Sequence, residues 1–383
     1  MNKKKIVFIS ASEITIRSFL IDHIQKLKSK KTKIYLIANF DSQEKLFKKL
    51  NVNLININFK RNINLFNDFY CLLSLFLSIL KIKPDVTISI SPKGGLLASI
   101  VAYFIKVNIR VHIFTGQVWA NKKGIFRELL ILMDKIIINL STHILADSKS
   151  QKIFLLKNKL IKKNFECLVI NNGSICGVDT NKFKKSFLNK LNIRKKLNIE
   201  KKSIIITYVG RLNSEKGVLN LLNIFKKIAT TKKNVYLLLI GSYEMNIKKI
   251  VNHHFYSKKI KILNYKKKIE PFLQTSDIFC LPSEREGFGL SVIEASACEL
   301  PVVCSDIYGL RDTLVHNVTG YKFKLGKKFE MFNYLIELIN NKKKRIKFGL
   351  QGRMFVKRYY EKKKVISAYS NFFNDLIFKD RIN

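Results

Sequence analysis

The sequence predicts an α/β protein of two Rossmann-like halves, each a parallel sheet flanked by helices, with the sheets facing an interdomain cleft. Two observations carry this reading. Short β-branched apolar runs bounded by turn residues alternate with longer stretches of helical spacing, and the rhythm breaks once, near the middle, before starting again. Such alternation is the signature of βα units on a parallel sheet. At 383 residues the chain has room for two cores of ordinary size.

In the first half the strand candidates are "KIVFIS", "KIYLIA", "VTISI", "VHIFT" and "HILA", separated by segments such as "IRSFLIDHIQKLK" and "GGLLASIVAYFI". Across residues 176–202 the apolar pattern thins and charge rises, which reads as a connector with one short helix. The second half then runs "SIIITYV", "VYLLLI", "IKIL", "IFCLP" and "PVVCS". The boundary is set at 178/179, giving domains 1–178 and 179–383, with the last helix free to return to the first domain. Ligands of open α/β sheets sit beyond the carboxyl ends of the strands, so the loops there are where chemistry is expected.

Hydrophobic residues make up 47% of the chain and aromatics 11%, which excludes a disordered polyelectrolyte. Lysine and arginine number 71 against 27 acidic residues, a net charge of +44 that favours anionic partners: nucleic acid, phosphorylated ligands or an anionic membrane. The lysines are spread along the chain, so charge alone names no partner. No zinc-finger, helix-turn-helix or RNP signature accompanies it, and a specific nucleic-acid role is not expected. The start, "MNKKKIVFISASE", has too short an apolar run for a secretory signal and reads as a first buried strand. "FYCLLSLFLSIL" (69–80) is shorter than the about 20 residues a bilayer span requires. It is either a core helix or, with the lysines that follow, a surface for an anionic inner leaflet. Six cysteines lack CxxC pairing and zinc-like spacing with histidine, as expected of reduced thiols in a cytoplasmic protein.

Two strand-to-helix junctions in the second half carry the chemistry. In "DIFCLPSEREGFGLSVIEASACEL" the segment 283–289 is a loop between a buried strand and a helix. Gly287 and Gly289 permit close backbone approach, and the helix start beyond them offers unpaired N–H groups to a phosphate. Ser291 and Glu294 also have the S-x-x-E spacing of a capping box, which would account for Glu294 structurally. In "TYVGRLNSEKGVLNLL", Gly210 and Arg211 follow the strand, and Lys216 precedes Gly217 where the next helix starts. Cations at a helix N-terminus are unfavourable by a few tenths to about 1 kcal/mol unless an anion compensates. Cations for a diphosphate and carboxylates for neutral hydroxyls are the two needs of a sugar nucleotide.

These segments resemble the C-terminal half of family 4 retaining glycosyltransferases of the GT-B fold: "YVGRLNSEKG", then "PSEREGFGLSVIEASACELPVVCSDIYGLRDTLVHNVTGYKF" with its E-x7-E pair, Glu286 and Glu294. "SPKGG" (91–95), "THILADSKSQ" (142–151) and "NNGSICGVDTNKF" extend the similarity over nearly the whole chain, toward the branch that builds bacterial surface polysaccharide and lipopolysaccharide. The resemblance implies a donor-binding C-terminal domain and an acceptor-binding N-terminal domain. It implies that Gly210, Arg211 and Lys216 meet the donor diphosphate, and that the Gly287 loop and the amides of Phe288, Gly289 and Leu290 meet the phosphates. Glu286 would orient the transferred sugar and Glu294 would hold the ribose. No metal or other cofactor is implied; the co-substrate is a nucleotide-diphosphate sugar, with UDP as the expected carrier, and the acceptor a lipid-linked or oligosaccharide glycan.

Many relatives carry His-Gly near the donor sugar; here "VHIFTGQVWA" places Thr115-Gly116, leaving Thr115 and Gln117 as acceptor-side candidates and His112 as a strand histidine. Lys93 and Gly94 in "SPKGG" are further candidates, since Lys93 precedes two glycines at a helix start without Walker spacing. A nicotinamide-dependent oxidoreductase is disfavoured because "GFG" lacks the GxGxxG spacing. A GT-B sugar-nucleotide epimerase is the alternative enzyme.

Overall fold

A computed structural model describes residues 3–40, 47, 49–60, 62–162, 164–252 and 256–378. The chain divides into two compact units: residues 1–176 together with Lys363 onward, and residues 177–362. The final helix thus belongs to the first unit, where the sequence reading left its place open.

Unit 1 holds a seven-stranded, wholly parallel sheet of order β3-β2-β1-β4-β5-β6-β7. Its strands are β1 (Lys4–Ser10), β2 (Thr32–Ala38), β3 (Asn53–Asn56), β4 (Val86–Ile90), β5 (Ile109–Phe114), β6 (His143–Ala146) and β7 (Cys167–Leu168). The helices that matter below are α1 (Leu65–Ile82), α2 (Pro92–Phe104), α3 (Gly124–Leu140) and α4 (Lys149–Lys157). β1 and β4 are buried almost throughout, as strands covered on both faces must be. The sequence reading lacked β3 and β7. β3 is half-exposed "NLIN", whose asparagines hide the apolar alternation, and β7 has two residues.

Unit 2 holds a six-stranded parallel sheet of order β10-β9-β8-β11-β12-β13. The strands are β8 (Ile204–Val209), β9 (Val235–Ile240), β10 (Ile260–Leu263), β11 (Ile278–Leu281), β12 (Val302–Ser305) and β13 (Gly320–Phe323). α5 (Phe187–Lys196) precedes the sheet, and α6 (Val218–Thr231), α7 (Glu270–Thr275) and α8 (Leu290–Ala297) connect its strands. β13 was not foreseen. The chain builds β8, β9 and β10 outward in one direction, then returns to lay β11 on the other side of β8. That reversal makes β8/β11 the switch point of the sheet, where the loops leave in opposite directions and open a crevice.

A buried ion pair ties the unit 2 connector to its sheet. Arg194 on α5, 2% exposed, donates to an Asp277 oxygen at 2.6 Å, while Lys190 reaches the other oxygen at 2.8 Å. Arg194 also donates to the carbonyls of Ser203 and Thr275, so its burial is compensated by hydrogen bonds. All six cysteines are buried thiols. Helix α1 runs from Leu65 to Ile82, longer than the apolar run that announced it, and alone among the described helices is long and apolar enough by composition to cross a membrane. One face of it packs in the unit 1 core through Cys71, Leu75, Ile79 and Ile82.

Candidate active site

The loops after β8 and β11 leave adjacent parallel strands at the switch point, which brings the two candidate junctions together. The first helix, α6, starts at Val218 behind Gly217, whose φ of +72° lies in the left-handed region. A Cβ there would stand 1.9 Å from the Pro282 carbonyl oxygen of the second loop, so only glycine lets the two loops touch. The loops are then cross-tied. Glu284 donates its N–H to the Glu215 carbonyl at 2.9 Å, and the Arg285 fork grips the Glu215 carboxylate at 2.8 and 3.0 Å.

Lys216 and Glu286, which the resemblance assigned to the diphosphate and to the transferred sugar, are in direct contact. The ammonium lies 2.7 Å from Glu286 Oε1 and 2.7 Å from the Arg285 carbonyl. Ser283 donates its hydroxyl to the same Glu286 oxygen at 2.8 Å. An ammonium has three donors, so Lys216 can hold the loop with two and offer the third to a ligand. Gly210 follows β8; Arg211 next to it is partly exposed, and its Nη1 is shared by both Glu244 oxygens at 3.1 Å. Glu215 lies 3.7 Å from its other terminal nitrogen, and the buried Tyr208 hydroxyl donates to the Arg211 carbonyl at 2.7 Å.

The second helix, α8, begins at Leu290 with Gly289 as its N-cap, at φ +70° and with no side-chain cap. A Cβ on Gly289 would meet Leu310 Cδ2 at 2.2 Å. The amides of Phe288, Gly289 and Leu290 find no acceptor among the described residues, the last two because the start of an uncapped helix leaves its N–H groups unpaired. Phe288 itself is buried and meets Tyr360 edge-on, fixing the backbone that carries these amides, and Gly287 lies partly exposed beside it.

Because the helix starts at Leu290, Ser291 lies inside its first turn and the capping box is absent. Glu294 instead projects from the helix, its carboxyl group making no hydrogen bond or ion pair with any described residue. The residue reaches solvent along one side, but protein packed about its carboxyl pushes the pKa up to about 8; Lys182 opposes that shift and Glu270 reinforces it. Lys182 sits 3.6 Å from Glu270, whose oxygen there is buried and accepts no hydrogen bond. Sequence reasoning missed Glu244, Lys182 and Glu270. Glu244 had a signal, since "GSYEM" follows β9 at the same sheet edge, whereas Lys182 and Glu270 are brought to Glu294 only by the fold.

In unit 1 the acceptor-side candidates lie at the carboxyl edge of β4 and β5. Lys93 is engaged by Asp68 at 2.7 Å and by the Asn62 carbonyl at 2.6 Å. The two glycines after it serve close packing: a Cβ on Gly94 would meet the Ala11 amide at 2.7 Å, and one on Gly95 the His112 ring at 2.2 Å. His112 is a core histidine, bonded through Nδ1 to the Ser89 hydroxyl at 2.8 Å and held neutral by burial, its pKa lowered to about 3. Thr115 is partly exposed. Gln117 is buried and accepts from Gln151 Nε2 at 3.3 Å. The turn after it is anchored by Trp119, which donates to buried Asp134 at 2.7 Å; burial raises that carboxyl to about 7.

Residues 189–355 match the family model described as glycosyl transferases group 1. The capsular polysaccharide biosynthesis glycosyltransferase CapM of Staphylococcus aureus is 30% identical over 357 residues, 92% of this chain and 93% of that one. The chain belongs to the group 1 glycosyltransferases. A second relative of this transferase, the UDP-Gal:α-D-GlcNAc-diphosphoundecaprenol α-1,3-galactosyltransferase of Escherichia coli, is 27% identical across 74% of the chain and 73% of its own. Among solved structures, Anabaena HepE in complex with UDP-glucose superposes with a TM-score of 0.78 at 16% identity, covering 97% of the transferase and 99% of HepE. WaaG, a glycosyltransferase of lipopolysaccharide biosynthesis, gives 0.73 at 11%, with 98% and 100% covered. At such identities these likenesses show the fold, which is GT-B. The epimerase and nucleic-acid readings find no support among the transferase's relatives.

Proposed function

We propose that this transferase moves a sugar from a nucleotide-diphosphate sugar, UDP as carrier, to a lipid-diphosphate-linked glycan in the assembly of a bacterial surface polysaccharide, with retention at the anomeric carbon and without a metal. One observation carries the reading: the open amides of Phe288, Gly289 and Leu290 occur in the same unit as a carboxylate, Glu294, that has no protein partner. The first suit phosphate oxygens, the second vicinal ribose hydroxyls. The relatives support the acceptor class, one by a name that specifies a diphosphoundecaprenol-linked sugar, and HepE's complexes support the donor.

In this reading unit 2 binds the donor. Gly210 leaves room beside Arg211, whose fork and the spare donor of Lys216 face the diphosphate, and the Gly287–Leu290 backbone completes the cradle. Glu286, aimed by Lys216 and Ser283, accepts from hydroxyls of the sugar and orients its anomeric carbon. The bond between that carbon and the phosphate oxygen breaks as the acceptor oxygen bonds on the same face, and the acceptor's proton passes to the departing phosphate. Arg211 and Lys216 act where negative charge grows, a role whose loss slows turnover on the order of 10²–10³-fold. Unit 1 is assigned the acceptor. Thr115 and Gln117 shape the approach at the edge of β5, and Lys93, with one donor left after Asp68 and Asn62, meets an acceptor phosphate beside Gly94. The work is placed in the cytoplasm, on the anionic face of the inner membrane.

The test is incubation of the purified protein with UDP-sugars and a polyprenyl-diphosphate-linked sugar in the presence of EDTA. Extended glycolipid with the donor's anomeric configuration, by NMR, is the expected product. Free epimerised nucleotide, inverted product, or activity abolished by EDTA would overturn the corresponding part of the reading.

A further inference from the structure

Helix α1 is apolar on two opposite faces. Cys71, Leu75, Ile79 and Ile82 pack into the core, while Phe66, Phe69, Tyr70, Leu73, Leu77 and Leu80 form an outer stripe exposed to solvent. A helix apolar all round belongs where both sides are covered, and here only one is. Parallel strands β3, β4 and β5 are each followed by one of α1, α2 and α3, so all three helices start at the carboxyl edge of the sheet. They lie side by side with α2 in the middle. The starts of the outer two carry the most exposed large apolar side chains among the unit's described residues, Phe66 at 92% and Ile125 at 89%, joined by Phe126.

Among the described residues the charge around this crest is one-sided. Lys60 before α1 and Lys122 and Lys123 before α3 are exposed. The acidic side chains in the first two turns of these helices are already neutralised: Asp68 is paired with Lys93 at 2.7 Å, and Glu128 with Arg127 at 2.6 Å. Aromatic side chains at a tip flanked by exposed lysines match the boundary between acyl chains and anionic headgroups. A protein partner would need a matching acidic and apolar face, whereas an anionic bilayer supplies both requirements.

We propose that unit 1 docks on an anionic lipid bilayer through this crest, with Phe66, Phe69, Ile125 and Phe126 entering the interface and Lys122 and Lys123 meeting headgroup phosphates. The inference rests on the membrane-facing part of the proposed function and identifies its surface. The crest borders the same sheet edge as Lys93 and Thr115, so a lipid-linked acceptor reaches the site without its chain leaving the bilayer.

The full chain is tested by flotation with vesicles of phosphatidylglycerol and phosphatidylcholine, against pure phosphatidylcholine. Binding to the anionic vesicles is expected, falling about tenfold per ring for Phe66→Ser and Phe69→Ser and about fivefold per lysine for Lys122→Ala and Lys123→Ala. Because these side chains are exposed, the melting temperature stays at the wild-type value. In the Phe66→Trp variant the emission of the introduced indole is expected to shift to the blue with vesicles and to be quenched by lipids brominated in the acyl chain. Binding unchanged in the aromatic variants, an introduced indole that the brominated lipids leave unquenched, or a dimer in light scattering that Phe66→Ser dissolves would overturn the proposal. Transfer to a water-soluble acceptor analogue, measured on the same preparations, reads the enzymatic function separately, and the crest variants are expected to retain it.

Discussion

Replacing Glu294 by glutamine is expected to stabilise the empty enzyme while weakening its hold on the nucleotide. The carboxyl's pKa rises from 4.5 to about 8 on folding, chiefly through burial. The native state therefore holds the proton more tightly than the unfolded chain, and wild-type stability falls as pH rises from 4.5 toward 8. At about 1.4 kcal/mol per pKa unit the ceiling is about 5 kcal/mol. One side of the residue is open to solvent, which brings the realistic loss to about 2 kcal/mol. Glutamine has the same shape and no ionisation, so the variant escapes this loss: the two proteins melt together near pH 4.5 and the variant melts about 4–8 °C higher near pH 8. Ribose hydroxyls need the ionised acceptor, so UDP binding to the wild type expels a proton below about pH 8, and affinity rises with pH up to that point. Calorimetry in two buffers of different ionisation enthalpy reads the released proton. A variant that melts lower than wild type near pH 8, or that binds UDP as tightly and with the same proton count, refutes the assignment.

Three further outcomes follow from the packing. Gly217→Ala forces a Cβ to 1.9 Å from a carbonyl oxygen at positive φ, and is expected to cost more than about 3 kcal/mol in chemical denaturation; a near-neutral effect would mean the loops are not tied as described. Trp119 is the chain's single tryptophan, so intrinsic fluorescence follows its bond to Asp134. Asp134→Asn keeps an acceptor without the ionisation cost, and its advantage over wild type is expected to open between pH 3.8 and about 7 and vanish below; an advantage independent of pH would contradict it. Arg194→Met strands Asp277 beside a single partly exposed lysine and is expected to cost about 3–5 kcal/mol in urea melts, whereas a neutral result would show that Lys190 alone compensates the carboxylate.

The alternation of β-branched runs and helical spacing made most of the parallel strands legible, because strands buried on both faces are written as unbroken apolar runs. β3 escaped since an edge strand needs only half a face, and its "NLIN" spends the other half on asparagine. The candidate site was legible where backbone geometry demands a residue type: Gly217 and Gly289 both take positive φ. It was opaque where spacing fits two motifs, as with Ser291 and Glu294, because only the start of α8 at Leu290 decides between a cap and a projecting carboxylate. The contact of Lys216 with Glu286 was also hidden, since it depends on how closely β8 and β11 bring their loops. The outer stripe of α1 could not be told from its inner one by sequence, both being equally apolar.

The central claim is that Arg211, Lys216 and the amides of Phe288 to Leu290 grip a diphosphate, and it is tested most directly by comparing dissociation constants for UDP and uridine in the wild type and in Arg211→Ala. The wild type is expected to prefer UDP by at least about 100-fold, and the variant to lose about tenfold or more of that preference, as charge-assisted hydrogen bonds of about 1.5–3 kcal/mol require. An equal affinity for the two ligands, or a preference untouched by the substitution, would contradict it.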